Sequence, residues 1–455
     1  MNETATPENN GPVGSKQSTP TGPAFMLRAL RNKNYRLFFS GQSISLIGTW
    51  MTRIATSWLV YRLTGSALLL GVVGFAGQIP SFLLAPFAGV LVDRWNRHRL
   101  LVITQVLALL QSLAMAILAL SGLIKIWQVI ALSVFQGLVN AFDMPARQAF
   151  VVEMVERRED LANAIALNSS MVNAARLLGP SIGGVIIAAV GEGWCFMIDA
   201  ISYLAVIASL LAMTLTPRMV KATQDANIFE QLREGWVYTT RFAPIRNILL
   251  LLALVSLVGM PYTVLMPVFA NEVLHGGPNT LGLLMAASGV GALVGAMFLA
   301  ARKSVLGLGK FIPITAGAFG AGLIAFSFSR SIWLSLLLMV VTGLGFMVQM
   351  AVSNTVLQTI VDEDKRGRVM SFYTMAFMGT APFGSLLAGT VAERIGAPHT
   401  LLFGGIGCIL GALWFAQSLP ALRRDVRPIY VRIGIIPEMA TGIQHSTELS
   451  VPPSS

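Results

Sequence analysis

Apolar runs of about 20 residues recur along the whole chain, and that length is what a helix needs to cross the roughly 30 Å hydrocarbon core of a bilayer. Twelve such runs are predicted as spans. The first six are Leu37–Tyr61, Ala67–Val92, Leu100–Leu120, Ile126–Phe142, Asn163–Val190 and Trp194–Leu215. The second six are Asn247–Ala270, Thr280–Ala301, Gly309–Phe328, Ile332–Thr355, Val369–Val391 and Thr400–Leu419. In lipid every backbone N–H and C=O must be satisfied internally, so a span is a helix or part of a closed barrel. Barrel strands are short and alternate apolar with polar residues, and these runs do neither. Only 12% of the residues are charged, about half the usual share of a soluble domain. The fold expected is an all-α membrane protein of twelve transmembrane helices in two six-helix pseudo-symmetric bundles.

Polar stretches divide the chain. Residues 1–34 read as a disordered tail, 35–215 as the first bundle, 216–246 as a linker, 247–419 as the second bundle and 420–455 as a polar, irregular tail. The segment Met1–Pro23 lacks the apolar core of a signal peptide. The net charge of +11 suggests nucleic-acid binding only where a soluble basic domain exists, and none of useful size is present. Lys and Arg instead gather in alternate loops, leaving Arg62, Lys125, Arg330 and Arg394 on the other side. By the positive-inside bias both termini and the linker are cytoplasmic. A multi-pass protein of the bacterial inner membrane is the implied setting.

The halves echo each other. Leu69–Gly74 in the second span matches Leu281–Leu284 in the eighth, and Gly179-Pro180 in the fifth matches Ala381-Pro382 in the eleventh. Such repeats suit a transporter that rocks one half against the other about a midplane site. Enzyme chemistry finds no footing. There is no phosphate-binding loop and no nucleophile motif, His98, His275, His399 and His445 are scattered, and Cys195 and Cys408 read as packing residues. No cofactor and no metal site are expected.

The loop after the second span reads Gly89-Val-Leu-Val-Asp93-Arg94-Trp-Asn96-Arg97-His-Arg99. It resembles the signature loop of the major facilitator superfamily, Gly-x-Leu-x-Asp-Arg-x-Gly-Arg-Arg/Lys, with Asn96 where the family usually has Gly. The resemblance implies a conformational latch, with Gly89, Asp93, Arg94 and Arg97 on one half and Arg366 and Arg368 on the other, that holds the outward-open state. The fifth span carries Arg176-Leu-Leu-Gly179-Pro180-Ser-Ile-Gly183-Gly184, similar to the motif of the antiporter branch of that superfamily. Proline bends a helix and glycines admit a neighbouring backbone, so a bent helix at the seam between halves is expected. Phe142–Arg147, Ala162-Asn163 and Arg366–Ser371 sharpen the likeness to the enterobactin-exporter and macrolide-efflux group, over about Leu30 to Leu419. That group exports siderophores or hydrophobic drugs, usually ascribed to proton antiport. One departure stands out. Ser133 occupies the place of an Arg found in the fourth span of many proton-coupled drug exporters.

Charges inside the membrane are costly unless paired or hydrated. Arg53, Arg176 and Asp199 fall inside spans. Arg53 and Asp199 sit at comparable depth and can pair, either as a structural ion pair or with Asp199 as a proton carrier. Polar and aromatic residues expected to line a substrate cavity are Gln42, Gln136, Asn140, Tyr262, Gln349 and Asn354. They predict a mixed polar and aromatic cavity rather than a charge-rich one. The function expected is secondary-active export of amphipathic small molecules by alternating access, with protons as the coupling ion and the chain acting as a monomer. A lipid or lysophospholipid translocator of the same fold, or a non-transporting membrane receptor, are the alternatives.

Overall fold

A computed structural model describes residues 27–155, 158–214, 228–302, 304–363 and 365–433; those residues contain helices and no strands. The first six spans are Lys33–Thr64, Ala67–Arg94, Arg97–Leu120, Ile126–Met154, Arg158–Val190 and Glu192–Leu211. The seventh to tenth are Ala243–Val273, Pro278–Ala300, Leu308–Phe328 and Ile332–Ile360, and the last two are Arg366–Ile395 and Ala397–Arg432. Eleven of these are long and apolar enough to cross a membrane among the described residues. The remaining one, Lys33–Thr64, carries Lys33, Arg36, Arg53 and Arg62, which dilute its apolar character, yet it packs within the first bundle as a full-length member.

Equivalent helices pack alike in the two halves. Second on fourth, third on fourth and third on sixth in the first bundle recur as eighth on tenth, ninth on tenth and ninth on twelfth in the second. The tight turns into the sixth and twelfth spans also match. Gly191 and Gly396 adopt φ 91° and 84° with ψ 165° and 155°, a region open to glycine because it has no Cβ.

Two spans depart from regular helix. The seventh contains π-turns at Val255–Gly259 and Phe269–Val273, and the eleventh has one at Met375–Gly379. Pro261, Pro267 and Pro382 lie beside these turns. Proline removes an N–H and crowds the preceding turn, which a widened turn relieves. The two irregular stretches touch each other: Ser256 Oγ donates to the Phe377 carbonyl at 2.5 Å.

The stretch read as a linker and the one read as an irregular tail are both partly helical. Ile228–Arg241, inside the linker, is a helix. The twelfth span continues past Pro420 to Arg432, because Leu422, Val426, Ile429 and Tyr430 keep an apolar stripe at helical spacing against the core.

Candidate functional site

The face carrying the described ends of the chain is called here the termini face, and the opposite one the distal face. The halves meet through two symmetric seams, the second span on the eleventh and the fifth on the eighth. Glycine makes both seams possible. A Cβ on Gly71 would lie 2.6 Å from the Ser385 carbonyl oxygen and 3.0 Å from Gly389 Cα. A Cβ on Gly282 would lie 2.7 Å from the Pro180 carbonyl oxygen and 3.0 Å from Gly184 Cα. Backbones this close give strong dispersion contact without side-chain entropy loss.

At the distal ends polar bonds reinforce the seams. Tyr61 Oη donates to Glu272 Oε1 at 2.6 Å, across the halves. Glu393 Oε2 accepts from Ser66 Oγ and from the Leu68 N–H, each at 3.0 Å. A carboxylate of the second half thus caps the second span of the first, where the helix dipole favours negative charge. The distal end is therefore the closed one. Sequence reasoning missed Tyr61, Glu272, Ser66 and Glu393.

The termini-face groups behave differently. Arg97 pairs with Glu153 at 2.6 Å inside the first half. Arg368 pairs with Glu234 of the linker helix, and Arg366 lies 4.0 Å from Glu363. The expected latch rests on Asp93, and among the described residues Arg366 and Arg368 pair within the second half and the linker. The Asp93 side chain lies outside the described residues, Arg94 is exposed, and Gly89 is a helical residue of the second span.

The fifth-span motif packs in two directions. Gly179 and Gly183 face the first span, where a Cβ would stand 2.5 Å from Trp50 Cβ and 3.1 Å from Met51 Cγ, respectively. Gly184 faces the eighth span, and Pro180 lies inside the helix.

Arg176 projects beside Arg53. The Arg53 guanidinium lies 4.5 Å from the centroid of the Trp50 ring and that of Arg176 lies 5.1 Å from the same ring, a favourable cation–π geometry for each. Arg176 is also within electrostatic reach of Tyr262, whose hydroxyl shares a 2.8 Å hydrogen bond with Ser288. Arg53, Arg176 and Tyr262 each lie about 20 residues from the termini-face end of their helix, roughly 30 Å of rise. They occupy one level, under the closed seams.

Asp199 is not part of that group, so the expected pairing with Arg53 is corrected. Asp199 is 2% exposed; its Oδ2 accepts from Ser112 at 3.0 Å and its Oδ1 has no hydrogen-bond partner. The first-span face that meets it carries Gly48, where a Cβ would stand 2.6 Å from Asp199 Oδ1. Arg53 is five residues on, turned about 140° around the helix from Gly48, and it is exposed.

The polar cavity set also divides. Gln136 donates to Asn140 at 3.1 Å, and both are half-buried on one face of the fourth span. Gln358 donates to Asn354, which is half-buried too. Gln42 and Gln349 are 3% and 0% exposed and line no opening. Gln349 lies four residues after Gly345, whose face is pressed on Thr315 and Phe319 of the ninth span, so it points into its own bundle. Another carboxylate, Asp143, holds the third and fourth spans together by accepting from Thr104 at 3.0 Å and Gln105 at 2.7 Å and pairing with Arg147.

The chain is similar to the staphyloferrin A transporter of Staphylococcus aureus, 28% identical over 86% of this chain and 98% of that one. It is similar to the multidrug efflux pump Tap of Mycolicibacterium fortuitum, 28% identical over 83% and 93%. Macrolide efflux protein A of Streptococcus pyogenes is 24% identical over 82% and 93%. The fold is shared with a bacterial homologue of the human lysosomal transporter Spinster, with a TM-score of 0.66, 13% identity and coverage of 91% and 99%. It is shared too with the nucleoside transporter NupG, with a TM-score of 0.67, 12% identity and coverage of 85% and 99%. Residues 25–430 match the family of transmembrane secretion effectors, and the chain belongs to that family of efflux transporters within the major facilitator superfamily.

Proposed function

We propose that the chain is a secondary-active exporter of amphipathic small molecules that works by alternating access with proton antiport, its termini face cytoplasmic. The observation that carries this reading is the pair of symmetric glycine seams closing one face directly above a level where Trp50, Arg53 and Arg176 of the first half stand at the height of the buried Tyr262 of the second. A seam of small residues can part and re-form at modest cost, and parting would expose that level to the distal side. The gathering of Lys and Arg on the termini face supports its placement in the cytoplasm. The siderophore and drug-efflux relatives support outward movement of amphiphiles.

Asp199 is the coupling group in this reading. It is a carboxyl buried between the first, third and sixth spans with no cation beside it among the described residues. An isolated charge there is costly, so a bound proton can be exchanged for a change in packing against Ser112 and Gly48. A proton crossing the membrane gains roughly 2.3 kcal/mol per 100 mV.

The test is reconstitution into proteoliposomes with an imposed pH gradient and a panel of siderophores, macrolides and dyes. Gradient-driven flux should dissipate the gradient on addition of a substrate. Asp199→Asn keeps an acceptor for Ser112, so it should abolish gradient-driven flux and leave substrate exchange. Undiminished uphill flux in that variant would remove the coupling assignment, and no flux with any compound would remove the transporter reading.

A further inference from the structure

Two guanidiniums share one indole ring at the level of the bundles just below the closed seams, and neither has an acidic partner. Arg53 and Arg176 form no ion pair and no hydrogen bond among the described residues. Asp199, the carboxyl once expected beside Arg53, faces Ser112 instead. Like charges in a poorly polarisable setting repel, and an unpaired arginine within a span carries a cost of several kcal/mol unless hydrated or bound. Stacking on Trp50 offsets only part of it, about 0.5–1 kcal/mol for each cation–π contact of a guanidinium that is not fully buried. The arrangement is held by its surroundings: Gly179 lets Trp50 approach the fifth span, and Gly289 brings the eighth span against the backbone of Arg176 and Leu177.

We propose that Arg53 and Arg176 form an anion subsite of the transport cavity, and that the cargo is an organic anion carrying at least two carboxylates. Each guanidinium offers a planar fork of donors that matches a carboxylate in bidentate geometry. Two such forks on one ring suit two carboxylates on one skeleton better than a single compact oxyanion. This deepens the exporter reading and rests on it for the word cargo, whereas the subsite rests on the arginines themselves.

The probe is radiolabelled citrate, bound at equilibrium to the purified full chain in lipid nanodiscs. Its competitors are unlabelled citrate, inorganic phosphate and the neutral trimethyl ester of citrate. Citrate should compete at least tenfold better than phosphate, and the ester should not compete. Arg53→Gln and Arg176→Gln should each weaken binding about tenfold or more, with Arg53→Lys and Arg176→Lys intermediate. Should a Gln variant fail to fold, the Lys variants and competition on the unaltered chain decide the question. Absent citrate binding, equal competition by ester or phosphate, or unchanged affinity in the variants would overturn the subsite. Export of a neutral macrolide at full rate by both Gln variants, with no carboxylate cargo moved by the unaltered chain, would overturn it while leaving the exporter reading intact. Arginine-dependent citrate binding without flux of any compound would do the reverse.

Discussion

Adding one methyl group at Gly184 should open the distal face. In the closed seam an added Cβ would stand 2.8 Å from the Pro278 carbonyl oxygen and 3.0 Å from Gly282 Cα, where ordinary contact begins at 3.4 Å. Both neighbours are backbone, so relief requires the fifth and eighth spans to separate by about half an ångström. Overpacking of this kind costs about 1–3 kcal/mol, and it is felt only while the seam is closed. The balance between closed and open distal states should therefore move about 5- to 150-fold toward open. Helix integrity should not suffer, since Ala is a better helix former than Gly by about 1 kcal/mol. The readout is a cysteine at Val264, a half-buried seventh-span residue whose methyl reaches toward Gly74 of the second span. A membrane-impermeant thiol reagent applied from the distal side reaches it only when that face is open. Cys195 and Cys408 are both 0% exposed, so background labelling is low. Labelling in Gly184→Ala should rise at least fivefold over the parent, and Gly389→Ala, its symmetric counterpart, should do the same. Unchanged labelling in both, with the variants folded, would show that the seams do not set the distal closure.

Tyr61→Phe removes the 2.6 Å bond to Glu272; Glu272 is exposed, so the loss should be near 1 kcal/mol and distal labelling should rise about fivefold, with no rise counting against a role in closure. At the termini face the Asp362 carboxyl is held below its ordinary range, first by the hydrogen bond from Arg432 and further by Tyr238 and Lys365. A carboxylate whose folded pKa is lowered contributes stability that is fully present above its ordinary value and lost only as pH falls through the lowered one. Hydrogen exchange over residues 233–241 should thus show the same protection at pH 5 and pH 7 once rates are corrected for intrinsic exchange, and Asp362→Asn should weaken it at both. Protection that collapses at pH 5 in the parent chain would contradict this.

Lipid made most of the architecture legible. Each span must be apolar for about 20 residues, so the order of helices and the division into halves can be read directly. What a length-and-polarity reading loses is angle. Arg53 and Asp199 share a depth, but Gly48 is the first-span residue that faces Asp199, while Arg53 looks toward Trp50 and the fifth span. Counting 100° per residue from Gly48 would have separated them. Gln42 and Gln349 were misplaced for the same reason, since a polar residue in a span can face its own bundle. The helical extension beyond Pro420 is readable in the spacing of Leu422, Val426 and Ile429, which keeps an apolar stripe against the core. The distal bonds left no local signal. Tyr61 and Glu272, or Ser66 and Glu393, are brought together only by the packing of the two bundles, more than 200 residues apart in the chain. Trp50 did leave one: an aromatic three residues from a span arginine lies on the same helix face.

The central claim is that two bundles rock about the Arg53–Arg176 level, and paired spin-label distances measured across both faces of the same preparation test it most directly. One pair would span the second and eleventh helices at the distal end, the other the same helices at the termini end. On addition of a transported compound or a change of pH, the distal distance should lengthen as the termini-face distance shortens, in matched proportions of molecules. Distances that change at one face alone, or at both in the same direction, would contradict the account.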